Sequence, residues 1–394
     1  MSFILKYLCL GLDYLLSFIL LGLGAVGSVL PRLPVNPVIP DTPAFALAAK
    51  MGLGWNLGNS LDSTHTDEDG SMATGLATEI MWGNPYTTRE VFVTLYEKGF
   101  RTVKLPTAWH NHMDAEGTID AAWMARVREL VDWAYDLGFY VVLDAHSHGD
   151  PANPYIPTRE AEAASAAWLR STWAQIAEAF QDYGERLLFQ AINKPRVAGS
   201  YMEWKGGLLS ERHVTNRLNA VFVETVRAAG GYNDRRWLLV PTYIASPDPV
   251  AMRSMRVPDD ERVIVALSAI APWQFTDGTA EFQHIKAYDE AFRQELARMM
   301  ENIYRAFIAK GVPVWLEQFG AADKDNAADR AAYAAHYVTL AAKYGMACAW
   351  WDNGNTRAQE YSGNSFALLN RADCAWYFEE IADAMAAAAM AAWG

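Results

Sequence analysis

The sequence predicts an α/β protein, a (β/α)8 barrel preceded by a single N-terminal transmembrane helix and a proline-rich linker. Three observations predict it. From residue 51 onward, short apolar runs alternate with helix-length amphipathic stretches, the pattern of a parallel α/β fold. Residues 14–31 carry no charge, and proline recurs at every third position from Pro31 to Pro43. The division expected is 1–30 as anchor, 31–45 as linker and 46–394 as barrel.

The N-terminal segment is apolar back to Phe3, with only Lys6 and Asp13 interrupting it. About 20 apolar residues cross the hydrocarbon core of a bilayer as a helix. The competing reading is a cleaved secretory signal ending near Ala25-Val26-Gly27; the length of the run favours an anchor. Asp13 is costly inside lipid, so it is expected to face a partner helix or to sit near the interface. Gly22, Gly24, Gly27 and Ser28 offer small residues on which another membrane helix packs. Lys6 before the run and Arg32 after it nearly balance, so charge alone gives no orientation.

Pro31, Pro34, Pro37, Pro40 and Pro43 follow. Polyproline II has three residues per turn, which puts all five rings along one edge of an extended strut. The alternative is an irregular linker lying on the barrel surface.

The expected strands are 52–57, 102–106, 139–146, 187–193, 237–243, 263–270, 312–319 and 346–351. Helices lie between them. Thr87-Thr88-Arg89-Glu90 reads as a capping box opening a helix that runs to Lys98 and stops at Gly99. Residues 122–137 stop at Gly138 in the same way, and the alanine-rich stretch 327–344 stops before Gly345. Eight strands, each followed by a helix or loop, make a TIM barrel, whose chemistry sits at the C-terminal strand ends.

The chain of 394 residues is 52% hydrophobic and 20% charged, which describes a large packed core. Its net charge of −13 argues against nucleic-acid and anionic-membrane partners. Cys9, Cys348 and Cys374 give no disulfide framework. No phosphate loop is present, and the sequence calls for no cofactor.

Several motifs fall at the expected strand ends: Gly54-Trp55-Asn56-Leu57-Gly58-Asn59, Trp82-Gly83-Asn84-Pro85, Gly99-Phe100-Arg101-Thr102-Val103-Lys104-Leu105-Pro106 and Trp350-Trp351-Asp352-Asn353-Gly354. In order and spacing the region from Met51 to Gly394 resembles glycoside hydrolase family 5, the cellulase-type endoglucanases. The resemblance implies two catalytic glutamates, one an acid/base and one a nucleophile, about 5–5.5 Å apart as a retaining glycosidase requires. At the acid/base position this chain has Lys194, within Asn193-Lys194-Pro195-Arg196, and at the nucleophile position Gln318, within Glu317-Gln318-Phe319-Gly320. The family's supporting arginine is matched by Lys104, and its His-x-Tyr on the sixth strand by Ser268-Ala269-Ile270. Asn193, His146 and Trp351 match the substrate-binding positions.

The chemistry of these differences has one direction. A glutamine amide forms no glycosyl ester. An unperturbed lysine, with a pKa of about 10.4, is a weak acid. Glu317 is the one candidate for a rescue carboxylate, but strand neighbours point to opposite faces, so it is expected to aim away from the pocket unless a bulge intervenes. Asp144 shares the face of His146, lower in the barrel, and Asp352 is expected to order the last loop. His146 reads as a hydrogen-bonded wall residue: no second ligand lies at helical or strand spacing, and His148 has no carboxylate partner in sequence, so no metal site is expected. Among the aromatic residues, Trp55, Trp82, Trp109, Trp273, Trp350 and Trp351 are candidates to stack on sugar rings or to fill the core.

The expectation is therefore a catalytically inactive, family 5-like barrel, membrane-anchored on the extracytoplasmic side. It would act as an accessory subunit of an assembly with integral membrane proteins. Two other readings stand beside it: a pseudoenzyme holding a β-linked glycan in the old cleft, and an active endo-β-glucanase with non-standard residues.

Overall fold

The computed structural model describes residues 13–15, 17, 36–148, 153–356 and 365–394. Most of the expected anchor and the first part of the linker lie outside these residues. No helix among the described residues is long and apolar enough to cross a membrane. Asp13 and Ser17 do have defined partners. The Asp13 carboxylate accepts from the Ser210 backbone N–H at 3.3 Å and from the Ser210 hydroxyl, while Ser17 Oγ accepts from the Leu209 N–H at 3.0 Å. These oxygens satisfy amide groups that the first turn of helix Leu209–Ala228 leaves unpaired. Asp13 thus meets a helix of the barrel.

Eight parallel strands close into a ring: β1 (Leu53–Leu57), β2 (Thr102–Leu105), β3 (Tyr140–Asp144), β4 (Leu187–Gln190), β5 (Leu238–Pro241), β6 (Val263–Ser268), β7 (Val314–Phe319) and β8 (Ala347–Asp352). Pairing of β1 with both β2 and β8 makes the closure. Each expected run overlaps an observed strand; β8 extends one residue past its run, to Asp352, and several others are shorter than expected. The last residues of those runs, such as Ala145-His146 and Ala191-Ile192-Asn193, leave the strands and enter the loops above the barrel.

Helices cover the outside. Arg89–Lys98 ends at Gly99 with φ 108°, and Ala121–Leu137 ends at Gly138 with φ 102°, the left-handed stop that glycine adopts without a Cβ clash. The capping box expected at 87–90 does not form. Thr88 is the N-cap, it makes no side-chain cap, and the Thr87 N–H instead donates to Glu79 Oε1 at 2.8 Å. The helix after it has Asp120 as a true cap, accepting from the Trp123 N–H.

Two apolar layers follow from strand alternation. Outward residues such as Val103, Val141, Phe189 and Val265 pack under the helices. Inward residues, among them Val142, Leu188, Leu239 and Trp315, fill the lower barrel together with Ala44, Leu47 and Met51 of helix Pro43–Met51. That helix plugs the floor. Before it, residues 36–42 lie on the barrel, with the Val38 N–H donating to Tyr304 Oη at 3.0 Å. The extended strut is therefore not seen over the described part of the linker.

The upper interior is polar, lined by Asn56, Lys104, Asp144, Gln190 and Glu317, and β7 is irregular there. Its register against β8 shifts between Leu316 and Phe319, and its register against β6 shifts at Leu267/Ser268. The irregularity breaks the alternation of facing. Asn56 of β1 donates from Nδ2 to the Glu317 carbonyl at 2.9 Å and to the Trp350 carbonyl at 3.0 Å, tying the shifted backbone across the barrel.

Candidate functional site

A cleft of about 660 Å³ opens at the C-terminal ends of the strands. Lys194 and Gln318 are both in its wall, with Asn193, His146, Ile270 and Trp351. The strand ends thus bring together six of the residues singled out in the sequence. Ser268 stands beside them, its Oγ donating to Gln318 Oε1 at 3.2 Å. Lys104 and Glu317 lie one layer lower and are fully enclosed.

Glu317 does not point away from the barrel interior, as strand alternation had suggested. The irregularity in β7 places Glu317 and Gln318 both on the inner side, one beneath the cleft and one in its wall. Lys104 Nζ reaches Glu317 Oε2 at 2.5 Å and Asp144 Oδ2 at 3.0 Å, and Gln190 Nε2 donates to the same Glu317 oxygen. Burial disfavours the Lys104 ammonium, but the two carboxylates outweigh it and raise its pKa above the usual lysine value. Burial also acts against the Asp144 carboxylate, and Lys104 with His146 outweighs that, so Asp144 titrates below the usual range. The result is a closed, ionised network under the cleft floor.

Lys194 differs. Its side chain is half-buried at the cleft, and burial lowers its pKa to about 8; Glu317 opposes that shift, while Arg196 and Lys104 add to it. Its backbone has φ 43°, a left-handed conformation that a residue with a Cβ rarely adopts. Such strain concentrates where a site dictates geometry.

His146 donates from Nδ1 to Asp144 Oδ2 at 3.1 Å, which leaves Nε2 to accept from Asn193 Nδ2 at 2.9 Å. Burial holds its pKa below the ordinary imidazole value despite Asp144. Trp351 lies parallel to the imidazole, with ring centroids 6.2 Å apart. Asp352 does order the last loop: Oδ2 accepts from Trp55 Nε1 and from the Leu368 and Leu369 N–H groups, and Oδ1 from Gly354 N–H and Arg371.

The aromatic candidates divide evenly. Trp55, Trp109 and Trp350 are core, with their indole N–H groups donating to Asp352, the Asp144 carbonyl and the Phe366 carbonyl. Trp82, Trp273 and Trp351 line the cleft. Sequence reasoning missed Trp204, a cleft residue with 72% of its surface exposed, since it lies in a loop outside any strand-end motif. It also missed Asp62. This buried carboxylate in the loop after β1 lies 3.0 Å from His148 Nε2 and 3.9 Å from His146 Nε2. The carboxylate partner that the local sequence of His148 lacks thus comes from a residue 86 positions away in the chain.

The family model for "Cellulase (glycosyl hydrolase family 5)" matches residues 65–357. The chain belongs to glycoside hydrolase family 5. An endoglucanase A of Ruminococcus albus is 37% identical over 355 residues, covering 88% of this chain and 93% of that protein. An endoglucanase A of Clostridium longisporum is 37% identical over 343 residues, covering 87% of this chain; the match spans 65% of that relative's own length. Among solved structures, a broad-specificity family 5 endoglucanase from Clostridium longisporum superposes with a TM-score of 0.83 at 36% identity, over 89% of this chain and 99% of that one. A family 5 lichenase from Caldicellulosiruptor sp. F32, solved as a glutamate-to-glutamine mutant with cellotetraose, superposes with a TM-score of 0.83 at 33% identity. That match covers 91% of this chain and 99% of the lichenase.

Proposed function

We propose that this family 5 barrel is a β-glucan-binding pseudoenzyme, which holds a glucan strand in its cleft without hydrolysing it. One observation carries the reading: the two strand-end positions where the family resemblance calls for carboxylates present Lys194 and Gln318 to the cleft. The nearest strand-end acid, Glu317, lies enclosed below them, bound to Lys104 and Gln190. An amide cannot supply the nucleophile, and Glu317 has no open path to an anomeric carbon. Binding groups remain. Trp82, Trp204, Trp273 and Trp351 offer ring faces along the cleft, and His146 and Asn193 offer polar edges. The lichenase relative with glutamine in place of a glutamate was solved with cellotetraose, which supports retention of glucan without a full pair of carboxylates. The uncharged run beyond Ser17, which itself packs on the barrel, is what supports a tether that holds the barrel at the extracytoplasmic face of a membrane. The accessory-subunit role rests on that run alone, and co-purification with integral membrane proteins in mild detergent tests it.

The deciding experiment incubates the protein with soluble mixed-linkage β-glucan and cello-oligosaccharides. The expected result is saturable quenching of tryptophan fluorescence with no new reducing ends. A second reading, an active endoglucanase, has one specific observation in its favour. Glu317 Oε1 is buried without a hydrogen-bond partner, beneath a lysine whose pKa is lowered to about 8. Hydrolysis that disappears in the Glu317→Gln variant would establish that second reading and overturn the first.

A further inference from the structure

Asp62, His146 and His148 bring one donor atom each to a single point at the edge of the cleft. The three atoms all lie within 4.8 Å of one another. Two of the separations are 3.0 Å, from Asp62 Oδ2 to His148 Nε2, and 3.9 Å, from Asp62 Oδ2 to His146 Nε2. Ligands about 2.0–2.2 Å from a tetrahedral ion stand roughly 3.3–3.5 Å apart, so these separations straddle the required value. Turning the exposed His148 ring lengthens the shorter separation, and a small turn of the Asp62 carboxylate about its Oδ1 anchor shortens the one to His146.

The surroundings are those of a built ligand set. Asp62 is buried and fixed through Oδ1, which accepts from the Ser60 N–H at 2.8 Å. His146 is oriented by the hydrogen bond from Nδ1 to Asp144, which leaves the Nε2 lone pair directed inward. A carboxylate behind the distal ring nitrogen is the usual support of a metal-binding imidazole, setting both tautomer and ring angle. His148 is held edge-on against Trp82, with ring centroids 4.8 Å apart. Both histidines line the cleft, so the fourth coordination position faces solvent and ligand.

We propose that Asp62, His146 and His148 form a binding site for a divalent transition-metal ion, with zinc as the best match. Two imidazole nitrogens and one carboxylate are borderline donors. They suit zinc, cobalt or nickel, and they do not suit calcium or magnesium, which take oxygen ligands. Three protein ligands with one open position is the arrangement of an ion accessible to small molecules rather than one enclosed for structure alone. The ion takes the Nε2 lone pair that now accepts the Asn193 amide proton, so binding displaces that hydrogen bond and alters the cleft wall beside Lys194.

The test uses untagged full-length protein stripped with a chelator. Zinc is titrated against a chromophoric competitor, and cobalt is titrated as a spectroscopic probe. The expected result is one equivalent bound, with the visible absorption of a tetrahedral cobalt site and no comparable response to magnesium. Affinity should fall at least tenfold in His148→Gln and in Asp62→Asn, both checked for native melting behaviour. His148→Gln is the decisive variant, because its exposed ring bears little of the fold. No stoichiometric binding at micromolar zinc would overturn the proposal. So would binding that persists unchanged in both variants, which would place the ion elsewhere, for instance on the exposed His65–Asp67 pair. Neither outcome depends on whether the cleft binds or cleaves a glucan.

Discussion

Lys104 Nζ lies 2.5 Å from Glu317 Oε2, and both side chains are fully enclosed beneath the cleft floor. A buried ion pair stabilises little compared with apolar packing, yet breaking one partner is costly because the other charge stays buried. Glu317→Gln should therefore destabilise the barrel by about 3 kcal/mol, the lower end of the range for such losses, because Asp144 still faces Lys104 at 3.0 Å. Urea unfolding measures this. The double variant Lys104→Met/Glu317→Leu should cost clearly less than the sum of its single changes, and strict additivity would show the pair to be uncoupled.

Lys194 makes the stability pH-dependent in an unusual direction. Its folded pKa is about 8 against an ordinary lysine value of 10.5, so the unfolded chain binds more protons between those values. Unfolding free energy contributed by Lys194 therefore rises as pH increases from about 8 towards 10.5. Lys104 behaves oppositely: its pKa is raised, so its contribution is complete below 10.5 and is lost at higher pH. The difference in stability between the parent and Lys194→Met should shrink across pH 8–10. A flat difference would show that Lys194 is not depressed.

Glycan binding should depend on ring faces that contribute little to the fold. Trp204 and Trp273 are 72% and 57% exposed, so Trp204→Ala and Trp273→Ala should leave the melting temperature within a few degrees. Each should weaken cello-oligosaccharide binding by about tenfold, corresponding to roughly 1.4 kcal/mol of lost stacking. Trp351→Ala should do the same and also disturb His146, its parallel neighbour. Fluorescence titration reads all three, and unchanged affinity in every variant would remove the glucan from this cleft.

Asn56 holds the irregular part of β7 in place by donating to the carbonyls of Glu317 and Trp350. Asn56→Ala should cost about 1–3 kcal/mol, since it leaves two buried acceptors without that donor. Chemical denaturation checks the magnitude. A change below a few tenths would show that the amide is not what fixes the β7 register.

Much of the barrel was legible in the chain. The apolar runs marked all eight strands because a strand covered on both faces must be apolar. Gly99 and Gly138 marked two helix ends because only glycine enters the left-handed stop without strain. The contents of the cleft were legible only where a motif ended a strand. Trp204 was missed because it belongs to a loop with no periodicity. The orientation of Glu317 was misread because alternation holds only for a regular strand, and a register shift of one residue reverses it.

The sequence by itself determined the ring of strands, the identities Lys194 and Gln318 at two of its ends, and the apolar N-terminal run. These are local properties: composition, period and residue type. Tertiary structure alone decided which of these groups meet. Closing the ring sets Lys104 of β2 against Glu317 of β7, and it brings Asp62 from the first loop to the histidines beyond β3. The physical reason is that a closed barrel makes neighbours of residues separated by scores of positions, and charge pairing or ligation acts over a few ångströms of space with no regard to distance along the chain.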